Sequence, residues 1–315
     1  MSRSGRGRRG SNEARASCVA SAAFAIRACR IFGQPSGTWR ADSGRTYMLH
    51  SAQTAAPAWR DDYWIPTGSA VNGFPVSAAC HPAFEVGGDF YAVLRAEEQQ
   101  LAVLIGDACG KGARAARIAA LVRGELPDLA RSFQGPAGLL DELNARLCGE
   151  LADDAFATAA CFELSAADRT LTVANAGHVP LFVLRASSGR VFRVGTPSGP
   201  PLGMVRGVRY STERTFVSPE DLVVLVTDGV LEALDDDPLG GRLAELVANA
   251  PPDAELVKGL VLAEVARGSK ASSDDLSVMC VSVPVLSAKQ THHSAPRVFA
   301  AVSYTHLTLP TILRV

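Results

Sequence analysis

Four aspartates in this sequence stand at the ends of apolar, strand-like runs, close to glycine or other small residues. Asp89 follows "EVGG", Asp107 ends "LAVLIGD", Asp228 ends "LVVLVTD", and Asp274 lies just before "LSVMCVSV". Any one of them alone is explained as a turn residue, since Gly-Asp pairs are common in loops. Four in matching contexts weaken that interpretation and indicate a shared chemical role.

Carboxylates that converge at one sheet edge predict a cation site. Like charges at close range raise one another's pKa and destabilise the fold unless a cation neutralises them. An all-oxygen donor set suits Mg²⁺ or Mn²⁺ better than zinc or copper, which prefer histidine and cysteine. Two such ions can lower the pKa of a water molecule and hold a phosphoryl oxygen, which permits phosphoester hydrolysis without a protein nucleophile.

Composition excludes several other classes of protein. The chain has 315 residues, of which 47% are hydrophobic, enough for a substantial core. Lys and Arg number 31 against 32 Asp and Glu, so no overall field favours nucleic acid or an anionic membrane. The seven cysteines form no C-x-x-C pair, and their odd number argues against a zinc knuckle or a disulfide framework. We therefore expect a cytoplasmic protein with neither a nucleic-acid nor a membrane partner.

Three regions are predicted along the chain. Residues 1–60 are rich in arginine and lack sustained periodicity, so we expect a poorly specified or disordered segment. Arginines within its apolar run disfavour a signal peptide. Residues 61–285 contain the regular pattern of a folded domain. Residues 286–315 are expected to be an unstructured tail, and their end, "AVSYTHLTLPTILRV", resembles a translated fusion scar.

Strands and helices come in blocks within the central region. Strands are predicted over "VSAACHPA", "DFYAVLR" and "LAVLIGD", and the helix "RAARIAALVRGEL" is expected to end at Pro127. The helix "GLLDELNARLCGEL" carries a leucine stripe, which indicates core packing. Hairpin strands, the strand "DLVVLV", two more helices and a final strand over "LSVMCVSV" follow. Blocks rather than strict alternation favour an α+β fold.

An ordered series of motifs resembles one known family. The motifs are "PAFEVGGDFY", "IGDACGKGARAA", "FATAACFEL", "ANAGHVPLFVL", "GPPLGM", "LVVLVTDGVLEA" and "SDDLSVMCVSV". Together they are similar to the SpoIIE-type, RsbU-like branch of the PPM family of metal-dependent serine/threonine protein phosphatases, over about residues 76–284. The resemblance implies a PPM-type β-sandwich of two antiparallel sheets flanked by helices, with a binuclear metal centre at one end.

The resemblance also implies a role for each site residue. Asp107 matches the aspartate that bridges the two metals, and Ala108 matches the position that lends a backbone carbonyl to the second metal. Asp89 matches a ligand on that second-metal side, often through water. Asp228 and Asp274 match the ligands of the first metal.

Some positions keep two interpretations. Asp275 could be confused with Asp274, but the following Leu-Ser-Val favours Asp274 as the ligand. Gly88 is expected to leave room for ions or backbone. His178 is either a general acid for the departing serine oxygen or a hydrogen-bonded structural residue. Lys111 lies in no P-loop frame, so we interpret it as a solvated residue at a helix start, with contact to a phosphoprotein as the alternative.

The function implied by the resemblance is hydrolysis of phosphoserine or phosphothreonine with Mn²⁺ or Mg²⁺, two ions per site, through metal-activated water. The implied setting is bacterial partner switching, with a phosphorylated STAS-domain anti-anti-sigma factor as substrate and control of a sigma factor as outcome. Members of the branch often dimerise, which leaves a homodimer open. The alternatives are a catalytically silent binding module with the same fold and a metal hydrolase of small phosphoesters.

Overall fold

The computed structural model describes residues 37–40, 46–49, 69–97, 99–152, 154–268 and 274–286. The helices in these segments are α1 (Ala113–Arg131), α2 (Pro136–Glu150), α3 (Asp228–Ala233), α4 (Gly241–Ala248) and α5 (Ala254–Arg267). The strands are β1 (Gly37–Arg40), β2 (Thr46–Leu49), β3 (Ser69–Val71), β4 (Phe74–His81), β5 (Phe90–Glu97), β6 (Gln100–Ala108), β7 (Ala157–Ser165), β8 (Thr170–Ala176), β9 (Leu181–Leu184), β10 (Val191–Val194), β11 (Thr212–Phe216), β12 (Leu222–Val226) and β13 (Leu276–Ser282).

Two antiparallel sheets pack face to face. The six-stranded sheet has the order β10-β9-β12-β13-β4-β3, and the five-stranded sheet has the order β11-β8-β7-β6-β5. Every neighbouring pair in both sheets is antiparallel. Helices α1 and α2 pack on the five-stranded sheet, and α4 and α5 pack on the six-stranded sheet. The predicted α+β sandwich of two antiparallel sheets flanked by helices is therefore confirmed.

Strand β6 shows why the central strands are apolar throughout. Leu101, Val103 and Ile105 belong to the core between the two sheets. Ala102 and Leu104 point the other way and pack beneath α1 and α2. A strand covered on both faces has no solvent side, so its sequence is a continuous apolar run rather than an alternating one. Full burial of each large aliphatic side chain contributes about 1.5–3 kcal/mol to stability.

Helix α1 does not end at Pro127, as the sequence predicted, but continues to Arg131. Proline removes one backbone hydrogen bond from the helix interior. Leu126 and Leu129 on either side of it are buried in the same core as the leucines of α2, and this packing keeps the last turns helical. Helix α2 begins with Pro136 in its first turn, where a missing N–H costs nothing.

Some strands were not foreseen from the sequence. Strand β11 is mostly exposed and its sequence, "TERTF", lacks an apolar run, so no pattern marked it. Strands β1 and β2 form an antiparallel pair within residues 1–60, which were expected to lack order. The rest of residues 1–60 and residues 287–315 lie outside the described residues. The three-region division stays a prediction.

None of the helices in the described segments is long and apolar enough to cross a bilayer.

The strand register brings four strand ends to one end of the sandwich. Phe90, the first residue of β5, lies opposite Gly106 near the end of β6. Val226, the last residue of β12, lies opposite Val278 near the start of β13. The residue before β5, the end of β6, the residue after β12 and the residues before β13 therefore meet, and these are the positions that carry the aspartates.

Candidate metal centre

Five aspartates gather at this end of the sandwich, and we call them the aspartate cluster: Asp89, Asp107, Asp228, Asp274 and Asp275. Oxygen atoms of Asp89, Asp107 and Asp275 lie within 4.8 Å of one another. The charges of Asp228 and Asp274 also act on Asp107, and both residues are more exposed to solvent than Asp89. The fold thus brings all four sequence-predicted aspartates together and adds Asp275 to their number.

Asp107 is the member that links the inner and outer parts of the cluster. Burial, followed by the charges of Asp228, Asp274 and Asp275, raises the pKa of Asp107 to about 8. Burial and then the charge of Asp107 raise the pKa of Asp89 well above its ordinary value. Burial and then the charge of Asp274 raise the pKa of Asp228. A carboxylate flanked on both sides in this way has the position expected of a ligand shared by two cations.

Asp275 holds the loop before β5 in place. Its Oδ1 accepts a hydrogen bond from the backbone N–H of Ala83 at 2.7 Å. Its Oδ2 accepts hydrogen bonds from the N–H groups of Gly88 at 2.5 Å and Asp89 at 3.4 Å. Both oxygens of Asp275 are thus engaged by backbone donors, whereas Asp274 is partly exposed at the rim of the cluster. Asp275 is thus an anchor of the loop as well as a member of the group whose oxygen atoms lie within 4.8 Å of one another, and the assignment of Asp274 as a cation ligand stays a prediction.

Gly88 leaves space for the Asp107 carboxylate and the Ala108 carbonyl. A Cβ atom at Gly88 would lie 2.9 Å from the Ala108 carbonyl oxygen and 3.0 Å from Asp107 Oδ1. It would also lie 2.8 Å from the Cβ of Ala115 on α1. The Ala108 carbonyl oxygen therefore lies beside the aspartate cluster, and its role as a ligand stays a prediction.

Thr227 is a buried residue that contacts the aspartate cluster, and it was not predicted from the sequence as part of the site. Its side chain is completely buried at the end of β12. The Thr227 hydroxyl donates to Asp89 Oδ2 at 2.9 Å and accepts from the N–H of Ser277 at 3.0 Å. The one available signal was a hydroxyl residue that ends an apolar strand directly before Asp228.

Lys111 lies closer to the cluster than the sequence suggested. Its Nζ is 3.3 Å from Asp274 Oδ2, in the loop between β6 and α1. Arg114, at the start of α1, instead forms an ion pair with Asp154 at 2.6 Å. The two basic residues thus have different surroundings.

His178 is buried in the protein and is therefore not accessible to a substrate. Its Nδ1 lies 2.8 Å from the Thr158 hydroxyl, and its backbone N–H donates to Asn175 Oδ1. The side chain is buried, and burial lowers the pKa of His178 to about 4. The imidazole is consequently neutral at neutral pH and has no proton in excess to donate. This environment favours the structural interpretation over the general acid.

The donor set fits hard divalent cations. Oxygen atoms make up the whole group, with no histidine or cysteine among the clustered residues that the structure describes. Carboxylates with raised pKa values at such short range repel one another, and a divalent cation would relieve this repulsion. Oxygen donors in this number suit Mg²⁺ or Mn²⁺.

Comparison with known proteins places this chain within a family. The family model for stage II sporulation protein E (SpoIIE) matches residues 97–284. Protein IcfG of Synechocystis is 29% identical over 189 residues, which cover 50% of this chain and 29% of IcfG. RsbU, a phosphoserine phosphatase of Bacillus subtilis, is 24% identical over 157 residues, covering 50% of this chain and 46% of RsbU. The chain therefore spans less than half the length of these two relatives.

Solved structures share the fold. The RsbU and RsbW domains of a Mycobacterium tuberculosis protein superpose with a TM-score of 0.59 at 21% identity, covering 69% of this chain and 62% of that one. The PP2C phosphatase domain of SpoIIE from Bacillus subtilis gives a TM-score of 0.55 at 22% identity, with 66% and 63% covered. The sandwich is thus of the PPM, or PP2C, type. Within that class, the chain belongs to the SpoIIE family.

Proposed function

We propose that this chain is a Mg²⁺- or Mn²⁺-dependent serine/threonine phosphoprotein phosphatase. The observation that carries the proposal is the aspartate cluster, whose closely spaced carboxylates lie at one end of a SpoIIE-family sandwich. The description of the relative RsbU as a phosphoserine phosphatase supports the choice of reaction.

The residues present could hold two ions. Asp228 and Asp274 would bind the first, Asp89 and the Ala108 carbonyl would bind the second, and Asp107 would bridge them. When bound, the ions supply a water molecule of lowered pKa and draw charge from the phosphoryl oxygens.

The chain's own side chains orient these ligands. The Thr227 hydroxyl fixes the Asp89 carboxylate through its 2.9 Å hydrogen bond. Asp275 fixes the backbone of Gly88 and Asp89. Asp228 is exposed and Asp107 half-buried, so a phosphate group can approach the cluster from solvent. A site assembled in this way needs no serine or cysteine nucleophile.

The substrate proposed is a phosphorylated STAS-domain anti-anti-sigma factor in a bacterial partner-switching circuit in the cytoplasm. The description of RsbU as a phosphoserine phosphatase supports a phosphoprotein substrate. A homodimer is a separate prediction, which sedimentation of the purified chain would check.

The reaction is tested with purified full-length chain, Mn²⁺ and p-nitrophenyl phosphate. We expect Mn²⁺-dependent hydrolysis that falls at least about 100-fold in Asp107→Asn and Asp228→Asn, because each change removes a proposed ligand. Asp128→Asn is the matched control, since Asp128 ion-pairs with Arg131 at the far end of α1. If the wild type shows no Mn²⁺-dependent hydrolysis, the proposal is contradicted, and the alternative of a catalytically silent binding module is favoured.

The substrate class needs a second comparison. Phosphate release from a phosphorylated STAS protein is measured beside release from a panel of nucleotides. Faster release from the phosphoprotein is expected, whereas preference for nucleotides would indicate a hydrolase of small phosphoesters.

A further inference from the structure

We propose that Lys111 is a substrate-binding residue whose ammonium group holds the phosphate of the substrate at the aspartate cluster. The inference rests on the proposed phosphatase function and assigns the group that recognises the phosphate.

The position of the Lys111 ammonium group supports this role. Its Nζ lies 3.3 Å from Asp274 Oδ2, and its side chain is 46% exposed against 25% for Asp274. Its charge also acts on Asp228, where it opposes the rise in pKa. The ammonium group therefore lies at the boundary between the cluster and solvent, on the side from which a phosphate must approach.

The backbone around Lys111 is built for this placement. Gly110 and Gly112 on either side have φ values of +94° and +59°, a region that residues with side chains rarely adopt. The loop is tied down at its start, because the Cys109 N–H donates to the Phe156 carbonyl at 3.0 Å. Two glycines in this conformation let the chain turn sharply between β6 and α1 with Lys111 at the turn.

The charge of the substrate indicates why a cation would be useful here. A phosphate monoester is itself an anion, close to a dianion near neutral pH. The Lys111 ammonium group would attract this anion at the rim of the aspartate cluster, where it is a compact donor of three hydrogen bonds.

Arg114 offers a matched comparison three residues further on. Its Nη2 atom lies 2.6 Å from Asp154 Oδ2 and donates to the Asp154 carbonyl oxygen at 3.3 Å. Arg114 is thus a cation next to the same loop that is engaged by a residue outside the cluster. Its removal changes the net charge of the region as much as removal of Lys111 does.

The test measures inorganic phosphate binding to the Mn²⁺-loaded full-length chain by calorimetry, which does not depend on turnover. Lys111→Gln is expected to weaken phosphate binding about tenfold or more, the size of a lost hydrogen bond to a charged group. Lys111→Arg should stay within about threefold of the wild type because it keeps the charge. Arg114→Gln should bind phosphate like the wild type, and none of the three variants should bind Mn²⁺ more weakly than the wild type, because loss of a cation beside Asp274 does not weaken a carboxylate ligand.

Kinetics provide a second measurement. The KM for p-nitrophenyl phosphate should rise in Lys111→Gln with kcat within about twofold, the pattern of a lost binding contact. Equal phosphate affinity in Lys111→Gln and the wild type, an equal loss in Arg114→Gln, or no phosphate binding by the wild type would overturn the inference. Weaker Mn²⁺ binding in Lys111→Gln would also overturn it, since Lys111 would then serve the cluster rather than the substrate.

The two proposals fail separately. If the wild type hydrolyses the substrate but phosphate binding is unchanged in Lys111→Gln, the phosphatase function is supported and the role of Lys111 is not. If phosphate binding depends on Lys111 but the wild type shows no hydrolysis, Lys111 binds phosphate and the phosphatase function is contradicted.

Discussion

At the scale of single residues, Asp274 and Asp275 are neighbours in the chain with different partners. Asp274 faces Lys111 at the solvent side of the cluster. Asp275 accepts hydrogen bonds from the backbone of the loop before β5. Two identical side chains at adjacent positions thus make different contacts, because successive residues of an extended chain point in opposite directions.

This division predicts different effects for two matched substitutions. Asp274→Asn should remove one of the two Mn²⁺ sites, whereas Asp275→Asn should keep both with at most about tenfold weaker affinity, the effect of disturbing a residue behind the ligands. Asp275→Ala should lower the free energy of unfolding by about 2 kcal/mol or more, because backbone donors lose their acceptor. Calorimetric Mn²⁺ titrations and urea unfolding check both. Loss of a site in Asp275→Asn but not in Asp274→Asn would reverse the assignment.

The sequence alone was enough to identify the aspartates of the cluster but not the residues that contact them. Asp89, Asp107 and Asp228 are marked by a carboxylate at a strand end beside small residues. The contacts of Thr227 with Asp89 and of Lys111 with Asp274 join elements far apart in the chain, so a local pattern could not predict these partners.

At the scale of elements, the ends of β12 and β13 approach so closely that Gly229 cannot carry a side chain. A Cβ atom there would lie 2.0 Å from the carbonyl oxygen of Asp275 and 3.3 Å from the Cβ of Asp274. The start of α3 is thereby pressed against the start of β13, which sets the spacing of Asp228 and Asp274.

Two glycine substitutions should therefore change stability in opposite directions. Gly229→Ala is expected to lower the free energy of unfolding by about 1–3 kcal/mol, because the clash is with backbone. Gly124→Ala, in α1 with no atom within 4 Å of the added Cβ, should raise it by up to about 1 kcal/mol. Urea unfolding measures both. A Gly229→Ala protein as stable as the wild type would show that the two strand ends are further apart than described.

Most elements were predictable because their periodicity reflects burial on one or both faces. Strands β6 and β12 are buried along nearly their whole length, and their apolar runs predicted them. Strand β11 escaped prediction because an exposed edge strand needs no apolar residues. The predicted end of α1 was wrong because the tertiary packing of Leu129 outweighs the tendency of Pro127 to end a helix.

At the scale of the whole molecule, the cluster concentrates negative charge in a chain whose formal net charge is only −1. The aspartate cluster lies at one end of the sandwich, while the two sheets and the five helices of the described residues supply the apolar cores. Such a local accumulation makes the stability of the metal-free protein depend on pH.

The direction of this dependence follows from two pKa shifts. The pKa of Asp107 is raised from 3.8 to about 8, so its contribution to stability is complete below about pH 4 and is lost as the pH rises through about 8. The pKa of His178 is lowered from 6.5 to about 4, so its contribution is present above pH 6.5 and is lost as the pH falls through about 4. Between pH 6.5 and 8, we therefore expect the aspartate cluster to determine how the stability changes with pH.

We predict that, in chelator, the melting temperature falls as the pH is raised from 6.5 to 8. Added Mn²⁺ should abolish the fall, and Asp107→Asn should reduce it, because each removes repulsion from the cluster. Thermal melts with and without Mn²⁺ check this. A melting temperature that is constant or rises over this range in chelator would mean that the carboxylates do not repel one another in the folded protein.

The most direct measurement of the central claim is a calorimetric titration of the purified, metal-free chain with Mn²⁺. Wild-type chain should bind about two Mn²⁺ ions, the number that a two-metal phosphoryl site requires. Asp107→Asn should lose tight binding of both, while Asp128→Asn should match the wild type. A wild-type chain that takes up no Mn²⁺, or an Asp107→Asn chain that binds it as tightly as the wild type, would contradict the assignment of this cluster as a metal centre.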